Sequence, residues 1–156
     1  MEKEFLKLIY DYQRIIYKVC KIYRDIREDQ EDLFQEIVYQ LWKSYPSFKG
    51  ESKISSWIYR IALNTAMAIY RKPKLDVHYF EEIPGQNLAA NEKDISENEE
   101  RLFAALRKLS DAEKALISLY LDEFSYQDIS KMVGISESNV GVRLNRIKSK
   151  LKIIIK

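Results

Sequence analysis

The sequence predicts an all-α protein made of two small helical domains joined by a flexible linker, the second domain containing a helix-turn-helix. Apolar residues recur three or four positions apart over most of the 156-residue chain, as the buried face of a helix requires. Residues 73–97 interrupt this spacing with an acidic stretch that contains Pro and Gly, which is typical of a linker. Later in the chain, two short helical patterns flank Gly134, as in a helix-turn-helix.

Composition limits the class of protein and its location. With 46% hydrophobic residues, the chain can form one compact domain or two small helical ones. It has no run of 18 apolar residues and no cleavable secretory signal, so we expect no membrane insertion and a cytoplasmic location. Cys20, the only cysteine, lies within an apolar helical pattern, and we expect a buried thiol without a chemical role.

Charge is unevenly distributed, although the net charge is only +2. Residues 25–36 hold six acidic residues against one basic residue, and residues 73–97 hold six against two. The balance reverses in residues 43–72 and 137–156, each with six basic residues against one acidic residue. Each basic segment coincides with a predicted helix. Two basic helices fit two phosphate-contacting sites, although a charge run is often only a solvated face.

Two amphipathic helices come first. From Phe5 to Tyr23 the apolar residues keep helical spacing, which predicts a core helix of about five turns. A second helix, which Asp29 can cap, has an apolar stripe from Leu33 to Trp42. Its other face is either solvated surface or a docking face for a basic protein partner, because carboxylates do not favour DNA phosphates. The residues on that face are Asp32, Gln35, Glu36, Tyr39 and Gln40.

A loop with aromatic residues, 45–52, leads into a third, basic helix that Ser52 or Ser55 can cap. This combination suits single-stranded nucleic acid, because unpaired bases stack on rings while lysine and arginine contact the backbone. Burial in the core is the alternative, and it is favoured for any one ring taken alone. We expect a buried stripe of Ile54, Trp57, Ile58, Ile61 and Ala62, and an outward face of Lys53, Ser56, Tyr59, Arg60 and Asn64.

The third helix is expected to end near Lys72, because Pro73 disfavours helix at the residue before it. Residues 73–97 then form an extended or partly disordered tether. His78, the only histidine, lies there without a second histidine or a cysteine nearby, so we expect neither a metal site nor a catalytic base. No other group of residues indicates a catalytic centre, and we expect no enzyme activity and no cofactor.

The second domain begins with a helical pattern from Leu102 to Leu109. The next helix opens with a capping-box sequence, in which Ser110 can bond the amide of Glu113 while the Glu113 side chain reaches back. Together these two helices provide the apolar surface on which the helix-turn-helix can pack.

Two further helices, before and after Gly134, form the predicted helix-turn-helix. Ser125 can cap the first, whose Ile129 and Val133 share a face, and Ser136 can cap the second. The second carries an apolar stripe of Val140, Leu144, Ile147 and Leu151. Its opposite face holds residue types that contact base edges and phosphates, namely Asn139, Arg143, Asn145, Arg146, Lys148 and Lys150. The alternative is a plain helical hairpin with a solvated basic face.

Three blocks of this sequence resemble a known family. They are Asp32-Leu33-Phe34-Gln35-Glu36 followed by Leu41-Trp42; Phe48-Lys49-Gly50-Glu51-Ser52 followed by Trp57-Ile58-Tyr59-Arg60-Ile61-Ala62 and Asn64; and Leu109-Ser110 through Leu151. In this order, across a short linker, they are similar to the extracytoplasmic-function (ECF) group of bacterial sigma factors. The chain departs from the family's usual residues at Leu63, where arginine is common, and at Gly141-Val142, where a lysine and a small polar residue are common.

The resemblance implies a sigma factor that binds core RNA polymerase, recognises the −10 and −35 elements of promoter DNA and assists promoter melting. It implies a region-two domain at 1–72, an acidic linker at 73–97 and a region-four domain at 98–156. An anti-sigma factor is a further expected partner.

The resemblance also assigns residues to each contact. Polymerase binding is expected at Asp32, Gln35, Glu36 and Tyr39. Contact with the −10 element is expected at Phe48, Lys49, Ser52, Tyr59, Arg60 and Asn64. Contact with the −35 element is expected at Ser136, Asn139, Arg143, Arg146 and Lys148.

Two other functions remain open at this point. A stand-alone helix-turn-helix regulator would bind duplex DNA without polymerase, so the free chain would show sequence-specific binding. A protein-interaction module would bind through the polar face of the second helix, and its basic segments would only be solvated.

Overall fold

Residues 1–50, 52–68 and 96–155, which the computed structural model describes, form seven α-helices, one short 3₁₀ helix and no strand. The all-α prediction is therefore confirmed. The chain divides into two compact units, residues 1–95 and 96–156, which we call the N-terminal and C-terminal units. The predicted end of the third helix near Lys72, the tether and His78 fall outside the described residues, and the boundaries set there stay predictions.

The described residues of the N-terminal unit include three α-helices, of which α1 spans Glu2–Tyr23, α2 spans Arg27–Ser44 and α3 spans Ile54–Ala68, and the 3₁₀ helix Tyr45–Ser47. Each of the three α-helices contacts the other two. The helical spacing predicted for α1 and α2 is confirmed, because the apolar positions of both helices supply the core. The side chains with no exposed surface are Phe5, Ile9, Ile16, Val19, Cys20, Leu33, Phe34, Ile37, Val38, Leu41, Ile58 and Ala62.

The start of α2 differs from the sequence prediction. Asp29 does not cap this helix; Ile26 occupies the cap position with extended backbone angles (φ −89°, ψ 137°) and makes no capping hydrogen bond through its side chain. Asp29 instead lies in the first turn together with Glu28, where carboxylates interact favourably with the positive end of the helix dipole.

Buried polar groups fix the turn between α1 and α2. The Gln30 side chain is buried, and its Nε2 donates to the carbonyl of Arg24 at 2.9 Å. The Arg24 guanidinium donates in turn to the carbonyl of Ala66 at 3.0 Å, which ties the end of α1 to α3. Cys20 is also buried, as predicted, and that burial raises the pKa of its thiol.

Four helices form the C-terminal unit: α4 spans Glu97–Arg107, α5 spans Asp111–Leu121, α6 spans Tyr126–Val133 and α7 spans Glu137–Ile155. Helix α7 contacts the other three, and α5 also contacts α6. The core of this unit is built around the apolar stripe of α7. Its most deeply buried residues are Leu106, Leu116, Ile117, Leu119, Ile129, Val140, Leu144 and Ile147.

Serine caps begin the helices of this unit, as the sequence predicts for three of them. The Ser110 hydroxyl accepts from the amide of Glu113 while the Glu113 carboxylate accepts from the amide of Ser110 at 2.9 Å, so the capping box is complete. Ser125 caps α6, and Ser136 accepts from the amide of Asn139 at 3.1 Å. Ser96 caps α4 in the same way.

The turn between α6 and α7 is made by Gly134, whose φ of 84° lies in the left-handed region that favours glycine. Ile129 is buried as predicted, but Val133 is 39% exposed, so the prediction that both share a buried stripe is wrong for Val133. Helix α6 is only eight residues long, and Val133 is its last residue, where Gly134 already turns the chain away.

Candidate protein and nucleic-acid interfaces

One face of α2 carries the four residues that were assigned to a protein partner. Asp32 and Gln35 are exposed, while Glu36 and Tyr39 are half-buried. Spacings of three and four residues place all four on one side of the helix, away from the buried stripe that begins at Leu33. The face is therefore polar and accessible.

A hydrogen bond orders part of this face. Gln40 Nε2 donates to Glu36 Oε2 at 3.1 Å, one helical turn away. The bond holds the Glu36 carboxylate toward Gln40, one turn further along α2. Asp32, one turn before Glu36, remains exposed.

The aromatic loop is anchored by a row of rings. Ring centroids are 5.0 Å apart between Trp42 and Phe5, 5.3 Å between Phe5 and Tyr45, and 6.5 Å between Tyr45 and Trp57. Phe48 ends the row, 4.7 Å from Trp57 with an interplanar angle of 30°. Because Phe5 is fully buried, the row attaches a surface loop to the core, and Tyr45 and Phe48 are half-buried rather than fully exposed.

The prediction that Tyr59 faces outward and contacts DNA is wrong. Its side chain is 1% exposed, so it does not look outward and cannot contact a base from this position. The buried residues of α3 are Ile58, Tyr59, Ala62, Leu63 and Ala66. Relative to the predicted stripe, this face is rotated by about 100°, the angle of one residue in a helix.

The rotation has a physical cause: α3 contacts both α1 and α2, so the packing of these two helices decides which face of α3 is buried. It also explains Leu63, which is 5% exposed and contributes to the core. The prediction that Ser55 can cap α3 is wrong as well, because Ser55 is the second residue of that helix.

The remaining polar residues of the second block are accessible. Lys49 and Ser52 are exposed in the loop, and Arg60 and Asn64 are exposed on α3. Arg60 and Asn64 are four residues apart and therefore lie one above the other on the same face.

On α7, the predicted DNA-contacting residues divide into two groups. Asn139, Arg143 and Arg146 are exposed, and helical geometry places them within about 60° of one another. Lys148 lies on the other flank of the helix, about 140° from Arg143. Its Nζ is 4.1 Å from the centroid of the Tyr120 ring, and this neighbour raises the pKa of Lys148.

Two contacts of the C-terminal unit were not indicated by the sequence pattern. Lys150 Nζ lies 3.0 Å from Glu113 Oε1 and 3.3 Å from Oε2, so a lysine on the Arg143 side of α7 is paired within its own unit. The pKa of Glu113 is lowered, chiefly by the hydrogen bond from the Ser110 amide and also by Lys150.

The second contact is between Gly141 and the Tyr126 ring. A Cβ at this position would lie 3.4 Å from Cε2 of Tyr126, so the glycine lets the Tyr126 ring pack against α7. The Tyr126 ring centroid is 6.5 Å from that of Tyr120. Both tyrosines come from other helices of the unit, and they cover the flank of α7 on which Lys148 lies.

Comparisons with known proteins find a separate family match in each of the two units. The family model for sigma-70 region 2 matches residues 8–74, and the model for sigma-70 region 4 matches residues 99–151. The chain is 28% identical over 165 residues to the ECF RNA polymerase sigma-E factor of Haemophilus influenzae, covering 97% of this chain and 87% of that protein. It is 33% identical over 135 residues to the RNA polymerase sigma factor YlaC of Bacillus subtilis, covering 80% and 76%.

A solved structure shares the fold. The sigma factor RpoE from Bartonella quintana, in a co-crystal with the anti-sigma factor NepR, superposes with a TM-score of 0.68 at 18% identity and covers 99% of this chain and 95% of that chain. No helix in the described part of the chain is long and apolar enough to cross a membrane. With two sigma-70 regions in order and relatives matched over most of their length, this chain belongs to the ECF group of RNA polymerase sigma factors, the subunits with which the polymerase recognises promoters.

Proposed function

We propose that this sigma factor binds polymerase, the −10 element and the −35 element through three different surfaces. The polar face of α2 binds core RNA polymerase, the aromatic loop with α3 binds the −10 element and assists melting, and the first half of α7 reads the −35 duplex. The observation that carries the proposal is the separation of charge within the N-terminal unit. Acidic residues line the exposed face of α2, while the exposed face of α3 and the loop before it carry Lys49 and Arg60.

The polymerase contact rests on Asp32 and Glu36, supported by Gln35 and Tyr39. A face with two carboxylates attracts a basic protein surface and is repelled by DNA phosphates. The bond from Gln40 to Glu36 reduces the side-chain freedom that binding would otherwise remove.

The −10 contact rests on Phe48, Lys49, Ser52, Arg60 and Asn64. Phe48 is supported from beneath by Trp57, so an unpaired base can stack on a ring that is already held in place. Stacking of this kind contributes about 1–3 kcal/mol per base. Melting is assisted because the loop binds the single strand and not the duplex.

The −35 contact rests on Ser136, Asn139, Arg143 and Arg146 at the start of α7. In helix-turn-helix proteins the N-terminal residues of the second helix contact base edges in the major groove. Lys148 is on the other flank and would contact a backbone phosphate there, outside the base-reading face.

A further partner of the chain is an anti-sigma factor. The protein similar in fold from Bartonella quintana was solved with an anti-sigma factor, and we propose that a protein of that kind binds this chain. We place the chain in the cytoplasm, without catalytic activity of its own, with the domains at 1–72 and 98–156 joined by residues 73–97.

Reconstitution with core RNA polymerase tests the proposal. Core enzyme with the wild-type chain should start transcription at a promoter that neither component recognises alone. The double charge reversal Asp32→Lys and Glu36→Lys should abolish assembly, and the matched change Asp122→Lys and Asp128→Lys in the C-terminal unit should not. Sequence-specific duplex binding by the free chain, unaffected by core enzyme, would instead indicate a stand-alone regulator.

A further inference from the structure

An exposed valine occupies the centre of the DNA-facing side of α7. Val142 is 47% exposed, and helical geometry places it almost opposite the buried stripe of Val140, Leu144, Ile147 and Leu151. It is the sixth residue of the helix, within the half that reads base edges in helix-turn-helix proteins. Val142 therefore has no role in the core of the unit.

The neighbours of Val142 differ on its two sides. On one side are the exposed guanidinium groups of Arg143 and Arg146. On the other are Gly141, which has no side chain and against which the Tyr126 ring packs, and the exposed Asn145, three residues along the helix. Positions 141 and 142 themselves contribute no charged or hydrogen-bonding side chain.

The chemistry of the major groove limits what such a side chain can recognise. Valine has no donor or acceptor, so it cannot pair with the nitrogen and oxygen atoms of base edges. The 5-methyl group of thymine is the apolar feature that base edges display in this groove, and contact with it is an established use of small apolar side chains. The guanidinium groups beside Val142 would hold the helix on the DNA while it makes this contact.

We propose that Val142 is a specificity-determining residue that selects a thymine in the −35 element by packing against its 5-methyl group. This inference rests on the proposed function, because it requires that α7 lie in the major groove. It predicts a base preference that arises from van der Waals contact and is independent of hydrogen bonding at that position.

Replacing thymine by deoxyuridine tests the contact, because it removes the methyl group and leaves the pairing edge unchanged. The wild-type chain, assembled with core RNA polymerase, first selects its sites from a library of duplexes randomised in the −35 region. Each thymine of the selected duplex is then replaced singly by deoxyuridine. At one position, binding of the wild-type holoenzyme should weaken about fourfold, the effect of one buried methyl group.

The variant Val142→Ser should bind the thymine and deoxyuridine duplexes equally well. Serine and valine have similar helix propensities, so the helix itself is preserved. Val133→Ser is the matched control, since Val133 is an exposed valine of the same unit that lies outside α7. It should keep the fourfold difference.

Different results would contradict the proposed function of α7 and the role of Val142. If Arg143→Ala and Arg146→Ala leave selection of the −35 region unchanged, α7 does not read that element, and both the proposed function and this inference are wrong. If those variants lose selection but no thymine position responds to deoxyuridine, or if Val142→Ser responds as the wild type does, only the inference is overturned.

Discussion

The two helices that carry the proposed DNA contacts, α3 and α7, are held in different ways. Helix α3 packs against both α1 and α2, so adjacent residues such as Ile58 and Tyr59 are both buried. Helix α7 buries one stripe with spacings of four, three and four residues. The difference teaches that α3 buries a sector of about 140° and exposes Arg60 and Asn64 only on its far side, whereas α7 buries a stripe of about 60° and exposes its contact residues on the flank of that stripe.

The largest expected effect concerns the wide buried sector of α3. Tyr59→Ala removes a buried aromatic side chain and should lower the free energy of unfolding of the N-terminal unit by about 3–5 kcal/mol. Arg60→Ala, at the next position but exposed, should change it by no more than about 0.5 kcal/mol while weakening −10 binding. Urea denaturation and open-complex formation measure the two effects. Equal stability of the two variants would contradict the burial of Tyr59.

The next prediction concerns the separate faces of α7. If Arg143 makes a bidentate contact with a base, Arg143→Ala should weaken promoter binding by about 1–3 kcal/mol and should leave the unfolding midpoint unchanged. Lys148→Ala is the matched control on the other flank of the same helix. It should cost less and affect all promoter sequences alike, because a phosphate contact carries no base preference.

Holoenzyme binding to duplexes that differ only in the −35 region separates these two effects. The division of α7 into two flanks would be wrong if Lys148→Ala changed sequence preference as strongly as Arg143→Ala does.

A smaller effect is expected at Gly141, where α7 meets Tyr126. Gly141→Ala should stabilise the C-terminal unit by up to about 1 kcal/mol, the difference in helix propensity. The new Cβ would lie 3.4 Å from the Tyr126 ring, at the limit of ordinary contact, and this half-exposed ring has room to shift. Thermal unfolding checks the sign; a destabilised variant would show that the ring is fixed in place.

The smallest effect concerns the pH dependence of the capping box. Because the folded-state pKa of Glu113 is lowered, its contribution to stability is present above its unfolded pKa and is lost as pH falls through the folded value. Glu113→Gln should therefore cost up to about 1 kcal/mol at pH 7. The difference from wild type should shrink in the acid range, below the usual pKa of a glutamate.

Urea denaturation at a series of pH values measures this difference. A gap between wild type and Glu113→Gln that stayed constant from pH 7 to the acid limit of folding would show that the carboxylate charge is not involved.

Features that depend on residues close in sequence could be predicted from the sequence. The capping box at Ser110, the cap at Ser125, the left-handed turn at Gly134 and the stripe of α7 each involve residues a few positions apart, and the structure has all of them. The exceptions among local features are the Asp29 cap, since the cap position of α2 is three residues earlier at Ile26, the Ser55 cap and the burial of Val133.

Features that depend on distant residues could not be predicted in this way. The rotation of α3 arises because two other helices pack against it, which periodicity within α3 does not reveal. The pairing of Lys150 with Glu113 joins residues 37 positions apart. The contact between Gly141 and Tyr126 depends on how α6 lies on α7, and in the sequence Gly141 stood out only as a departure from the family's usual residue.

The row of rings in the N-terminal unit has an optical consequence. The chain contains two tryptophans, Trp42 and Trp57, and both belong to this row. Intrinsic tryptophan fluorescence therefore arises from the N-terminal unit. Since Trp57 supports Phe48, a base stacking on that ring should alter the emission of Trp57, which would make this sigma factor its own label-free sensor of strand capture.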